Sequence, residues 1–210
     1  REIEEQRRKD VEEAISQLKK TAEQDEKAVQ ARILLARLRM EREEFGEALR
    51  LAEEVLEIDP EDKDGIELKL EVLQRTNRID ESDEFARRVL QKDPSSTVAN
   101  RVRAESLLRA HQYDEALRIC DDRIAARQAD AVEFIKLKAD ALIRRNRPRT
   151  ENAPSDIEQA VQLLKDAIAQ NDMQPDLYIA LSRLYRMDPQ TRPQAIQVLR
   201  DGLNRLPGTP

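Results

Sequence analysis

Tryptophan is absent, aromatic residues make up 3% of the 210-residue chain, and glycine occurs only four times. With so little glycine and so much Ala, Leu, Glu, Arg and Gln, helix propensity is high almost throughout. One cysteine, Cys120, cannot form an internal disulfide. No apolar run approaches the roughly 18 residues of a membrane-spanning helix, and no signal peptide is visible. These absences lean toward an intracellular setting. The sequence opens Arg1-Glu2-Ile3 without Met, so it is expected to be a piece of a longer chain. A Gly-rich phosphate loop, a Cys-x-x-Cys pair and a Gly-x-Ser-x-Gly elbow are all missing.

The net charge of -6 and the shortage of aromatics disfavour nucleic-acid binding, where a basic surface normally supplies most of the affinity. Charged residues reach 38%, against about 25% for an average globular domain, which fits exposed helices better than a compact sphere. The charge is uneven. Between Glu41 and Glu71 there are thirteen acidic and four basic residues, whereas four of the six residues from Arg144 to Arg149 are arginine.

What is present is a repeat. The stretch Phe45 to Pro60, FGEALRLAEEVLEIDP, carries an apolar stripe at helical spacing and a closing Asp-Pro. It returns 34 residues later as Ile79-Asp80-Glu81-Ser82 leading to Asp93-Pro94, and again from Tyr113. Ala14, Ala48, Ser82, Ala116, Ala160 and Ala195 fall in one register, with Leu18, Ala52, Ala86, Cys120, Leu164 and Leu199 four residues on. A recurrent small side chain marks close approach of helix backbones. The step from Ala116 to Ala160 is 44, and the ten extra residues lie in a Pro-, Asn- and Arg-rich loop at 144–155.

The spacing predicts eleven helices and no strand, in one array over 1–210. A first helix lies within 1–25, followed by hairpins at 28–60, 62–94, 95–128, 129–172 and 174–207. Its period, small-residue register and closing Pro60, Pro94 and Pro207 resemble the tetratricopeptide repeat. The fifth unit matches best, with Tyr178, Leu181, Ser182, Tyr185 and Ala195 at the family's spacing. Leu70 and Lys138 at a normally small site, Lys69 and Arg103 at a normally apolar one, and Gln128 in place of a closing Pro depart from the pattern.

The resemblance implies an all-α fold, a right-handed α-α superhelix whose first helices line a groove. It also implies a non-enzymatic scaffold that holds a peptide or a partner protein there. By alignment the groove takes Ile33, Arg37 and Met40 from the first hairpin, Glu67 and Glu71 from the second, and Arg101 and Glu105 from the third. Val132, Ile135, Ala139, Leu142 and Ile143 come from the fourth, and Arg183 and Arg186 from the fifth. The fourth is the apolar one and is expected to hold the hot spot, the alternative being that the adjoining insertion folds back over these residues and makes them core. The Lys/Asn clamp that some family members use on acidic C-terminal tails is absent. Arg144, Arg145, Arg147 and Arg149 form a basic loop that reads either as a recognition feature for an acidic partner or as part of a solvated surface of mixed charge.

No catalytic residue, cofactor or metal ligand is expected. His111 reads as a solvated turn residue, Cys120 as a small core residue, and the many carboxylates as solvated faces. The alternative function is a structural module that self-associates through its end helices, since repeat arrays need polar caps to stay monomeric.

Overall fold

The computed structural model describes residues 2–25, 28–126, 131–151 and 153–205. They form eleven α-helices: α1 (Glu2–Gln24), α2 (Val29–Glu41), α3 (Phe45–Ile58), α4 (Lys63–Arg75), α5 (Ile79–Lys92), α6 (Thr97–Arg109), α7 (Tyr113–Ala125), α8 (Ala131–Arg145), α9 (Asp156–Gln170), α10 (Pro175–Met187) and α11 (Arg192–Arg205). The only extended pairing among them is an isolated bridge between Thr150 and Ala153. Gln128 and Pro207, both read from the sequence as unit ends, lie outside the described residues. Contacts divide the chain into two compact units, Arg1–Val102 and Arg103–Pro210, with the boundary inside α6.

Within a hairpin, the turn is set by one backbone conformation. Glu43, Asn77 and His111, spaced by 34, all have positive φ, at 61°, 57° and 59°. Each is the left-handed residue that ends the first helix. The His111 amide donates to Leu108 O and the Gln112 amide to Leu107 O, and the same pair of bonds recurs at Glu43 and Asn77. This is the Schellman arrangement, which satisfies carbonyls that the helix end would leave unpaired. His111 is exposed, its Nδ1 2.6 Å from the Tyr113 hydroxyl.

A second register ties three of the hairpins to the segment before them. Arg32, buried on α2, donates to the carbonyl oxygens of Ala22 (2.9 Å) and Asp25 (3.1 Å) and pairs with Glu54 of α3. Asn100 on α6 donates to Pro94 O at 2.9 Å, and Tyr178 on α10 to Asp172 O at 3.0 Å. Arg32, Asn100 and Tyr178 occupy equivalent positions, and each donates to a backbone carbonyl at or just past the end of the preceding helix.

The small-residue register sits where helices touch. Ala48, Ala116 and Ala160 are fully buried, and Ser82 and Ala195 nearly so. Ala14, at the same register on α1, is exposed. In the first unit the core gathers Ile33, Leu35, Ala36, Met40, Leu51 and Val55. In the second it gathers Leu107, Leu142, Leu164, Leu177, Leu181 and Tyr185. Leu70, larger than the usual residue at its position, is fully buried beside Ala86 and Val102.

Candidate functional site

In the second unit α8 carries more apolar side chains than its core needs, and the structure divides them. Phe134 is fully buried with Ala104 and Cys120, while Ala139 and Leu142 are buried in the main cluster. Ala139 and Leu142 are therefore core residues and not groove residues, because α8 turns them against its helical neighbours. The same correction applies to Ile33 and Met40 in the first unit, which are closed into its core. Val132, Ile135 and Ile143 remain half-buried, resting on the core with an edge exposed.

Ile179 stands 44 residues after Ile135, at the same position of α10, and is 42% exposed. Sequence reasoning left it out of the groove, although the spacing could have found it. Polar groups surround this register: Lys136 of α8 pairs with Asp176 of α10, and Arg183 and Arg186 are exposed. The Lys136 ammonium holds the Asp176 carboxyl below its ordinary range. In the first unit, Arg37 pairs with Asp64 at 2.9 Å and Glu71 with Arg75 at 3.3 Å. Glu67, Arg101 and Glu105 are half-buried.

The basic loop is built differently from its sequence reading. Arg144 and Arg145 belong to α8, and the loop proper begins at Asn146, where φ is 50°. Each arginine faces a carboxylate of this chain. Arg144 pairs with Asp140 (2.9 Å), Arg147 with Asp114 (2.7 Å) and Arg149 with Glu158 (2.8 Å). Arg145 donates from Nε and Nη2 to the two oxygens of Asp156, and from Nη1 to Asp114.

Asp156 is 1% exposed and also accepts the Arg147 amide at 2.8 Å, while its own amide donates to Arg147 O. Four arginines thus meet four carboxylates. Three of these pairs, those of Arg145, Arg147 and Arg149, tie the insertion to α7 and α9, which corrects the expectation of a freely basic surface. A capping box at Ser155 and Glu158 then starts α9.

A shallow cleft in the first unit holds Phe85 between Lys69 and Arg88, whose cationic groups lie 5.1 and 5.8 Å from the ring centroid. Lys69, the departure noted in the sequence, bonds Glu53 at 2.7 Å. Cys120 is buried, and burial pushes its thiol up to about 12. Among the described residues no group of three His, Cys, Asp or Glu side chains is placed to hold a metal ion. No described helix is long and apolar enough to cross a membrane.

Helical hairpins that repeat a turn conformation, a small-residue seam and a carbonyl tie define an all-α helical-repeat fold of the solenoid class. Residues 6–70 match the tetratricopeptide repeat family, and the fold of the chain is similar to that of solved tetratricopeptide-repeat proteins. No curated protein matches the sequence. Among solved structures, PilW, titled a widely conserved type IV pilus biogenesis factor, aligns with a TM-score of 0.69 at 16% identity over 98% of this chain and 91% of its own. A thermophilic tetratricopeptide-repeat protein of Thermus thermophilus aligns at 0.65 and 17% identity, over 86% of this chain and 92% of its own. YrrB, titled a tetratricopeptide-repeat protein with an unusual peptide-binding site, aligns at 0.56 and 14%, over 89% and 91%.

Proposed function

We propose that this chain is a non-enzymatic interaction scaffold that binds a peptide or partner protein on the face of α8 and α10. The observation that carries the reading is the half-exposed apolar set of Val132, Ile135 and Ile143 on α8 and Ile179 on α10, the last at the register of Ile135, bordered by charge. Apolar side chains that the core leaves open, with a polar rim, supply burial on binding, and the rim supplies orientation. The likeness to YrrB, described as having an unusual peptide-binding site, supports the same reading by analogy. Arg145 at the end of α8, with Arg147 and Arg149 of the insertion, holds the insertion's shape in this scheme.

Screening an array of helical and extended peptides against the intact chain, with affinities from fluorescence anisotropy, tests the proposal. Bound peptides are expected to carry apolar anchors. Ile179→Ser is expected to weaken them about tenfold, in line with loss of an apolar anchor, without lowering the melting temperature. Peptide affinities that ignore both Ile179→Ser and Ile135→Ser would remove this face from consideration.

A further inference from the structure

Lys69 lines a cleft at a position that other hairpins fill with leucine. At its register the first, fourth and fifth hairpins carry Leu35, Leu137 and Leu181, all packed into core clusters. Lys69 instead reaches out of α4 to Glu53 of α3, and beside it lies a cleft of about 290 Å³ bounded by α3, α4 and α5. These three helices lie inside the first unit, with further helices before and after them in the sequence. Small-molecule sites run from about 300 to 1,000 Å³, so this volume suits a single long side chain. Leu73 and the half-buried Phe85 supply its apolar wall.

Seven charged side chains line the cleft, and six of them are matched. Lys69 holds Glu53 at 2.7 Å, Arg78 grips both oxygens of Glu81 at 2.7 and 2.5 Å, and Arg88 faces Glu84 at 3.8 Å. The seventh is Asp80, exposed in the first turn of α5, whose carboxylate has no hydrogen bond or ion pair among the described residues. The lining is thus one positive charge short. The whole first unit leans the same way: residues 1–102 hold 27 of the 43 acidic side chains and 20 of the 37 basic ones. A surface field of that sign draws cations.

We infer that this cleft is a docking site for an arginine side chain of a partner protein, its aliphatic stem on Leu73 and Phe85 and its guanidinium paired with the Asp80 carboxylate. Lys69 and Arg88 already approach the Phe85 ring, at 5.1 and 5.8 Å from its centroid, so the incoming charge is directed to Asp80 while the ring takes the methylenes. A guanidinium offers a carboxylate two parallel bonds, which the ammonium of lysine does not. With it bound, every charge in the lining has a partner. The site is separate from the α8 and α10 face and does not depend on it.

The probe is N-acetyl-arginine N-methylamide, whose backbone is neutral, titrated into the isotope-labelled intact chain and followed by amide NMR shifts. Saturable shifts are expected at Leu73, Asp80 and Phe85. The uncharged isostere N-acetyl-citrulline N-methylamide should bind at least about threefold more weakly, and so should the arginine probe to Asp80→Asn protein. Asp80 is exposed, so that variant should keep its melting temperature. Phe85→Leu keeps an apolar side chain against the core and should weaken both probes, whereas Ile179→Ser should affect neither. Absence of saturable shifts at these amides, equal affinity for arginine and citrulline, or indifference to Asp80→Asn overturns the inference. Tighter binding of N-acetyl-glutamate N-methylamide at the same amides would make the three cations the recognising groups and overturn it as well.

Discussion

Arg145 holds Asp156 through two parallel bonds, Nε to Oδ2 at 2.9 Å and Nη2 to Oδ1 at 2.7 Å, across eleven residues of sequence. Asp156 is almost wholly buried and Arg145 largely so. The pair ties the end of α8 to the start of α9 and so brackets the insertion between them. Removing one partner of such a pair leaves the other charge buried and uncompensated.

Asp156→Asn is therefore expected to destabilise the second unit by about 3 kcal/mol at neutral pH, read from urea unfolding. The Arg145 guanidinium, and then the Arg147 amide, hold the Asp156 carboxyl below its ordinary range. A carboxyl whose folded pKa is depressed contributes stability above its unfolded value of about 3.9, and that contribution is lost as pH falls through the folded value. The gap between wild type and variant should consequently narrow below about pH 4. A gap that stays constant to pH 2 would show that the ion pair is not its source.

The small-residue seam makes a graded prediction. Ala48→Leu and Ala116→Leu place a large side chain where none fits and should each cost roughly 1–3 kcal/mol. Ala14→Leu, at the same register but exposed, should stay within about 0.5 kcal/mol. The Ser82 hydroxyl is buried without a hydrogen-bond partner among the described residues. Ser82→Ala should thus stabilise the first unit by about 1 kcal/mol. Denaturant titrations of the four variants check the order.

Two glycines should respond oppositely to alanine. A Cβ on Gly65 would lie 2.7 Å from Val55 Cγ1, so Gly65→Ala forces α3 and α4 apart and should destabilise despite the better helix propensity. Nothing lies within 4 Å of a Cβ on Gly46, so Gly46→Ala should stabilise by about 0.5–1 kcal/mol. Equal effects in thermal melts would contradict the packing described for α3 and α4.

Cys120 should behave as a core methylene and not as a nucleophile. Burial, followed by the neighbouring Asp121 carboxylate, pushes its thiol up to about 12, so little thiolate exists at pH 8. Labelling by a disulfide reagent at pH 8 should be slow in the native protein and prompt in urea. Prompt native labelling would place Cys120 at an accessible surface.

Periodicity, turn chemistry and the small-residue register are local properties, and they made the eleven helices, the Asp-Pro and Asn77 turns and the seams of Ala48 and Ala116 legible from the sequence. Which edge of an apolar helix faces the core is not local. Ile33, Met40, Ala139 and Leu142 share a register with charged residues of other hairpins, yet tertiary packing buries them, because an apolar side chain gains most where its neighbours can close around it. The arginines of the insertion show the same limit: four adjacent positive charges read as an open basic surface until Asp114, Asp140, Asp156 and Glu158 are brought up to them. Arg32 is equally opaque, since its acceptors on Ala22 and Asp25 reach it only through the packing of α1 against α2. The repeat and its phase follow from residues three, four and 34 positions apart, which any reader of the chain can count. The side chains left available to a partner follow from burial and pairing, and those are set by neighbours that only folding brings together.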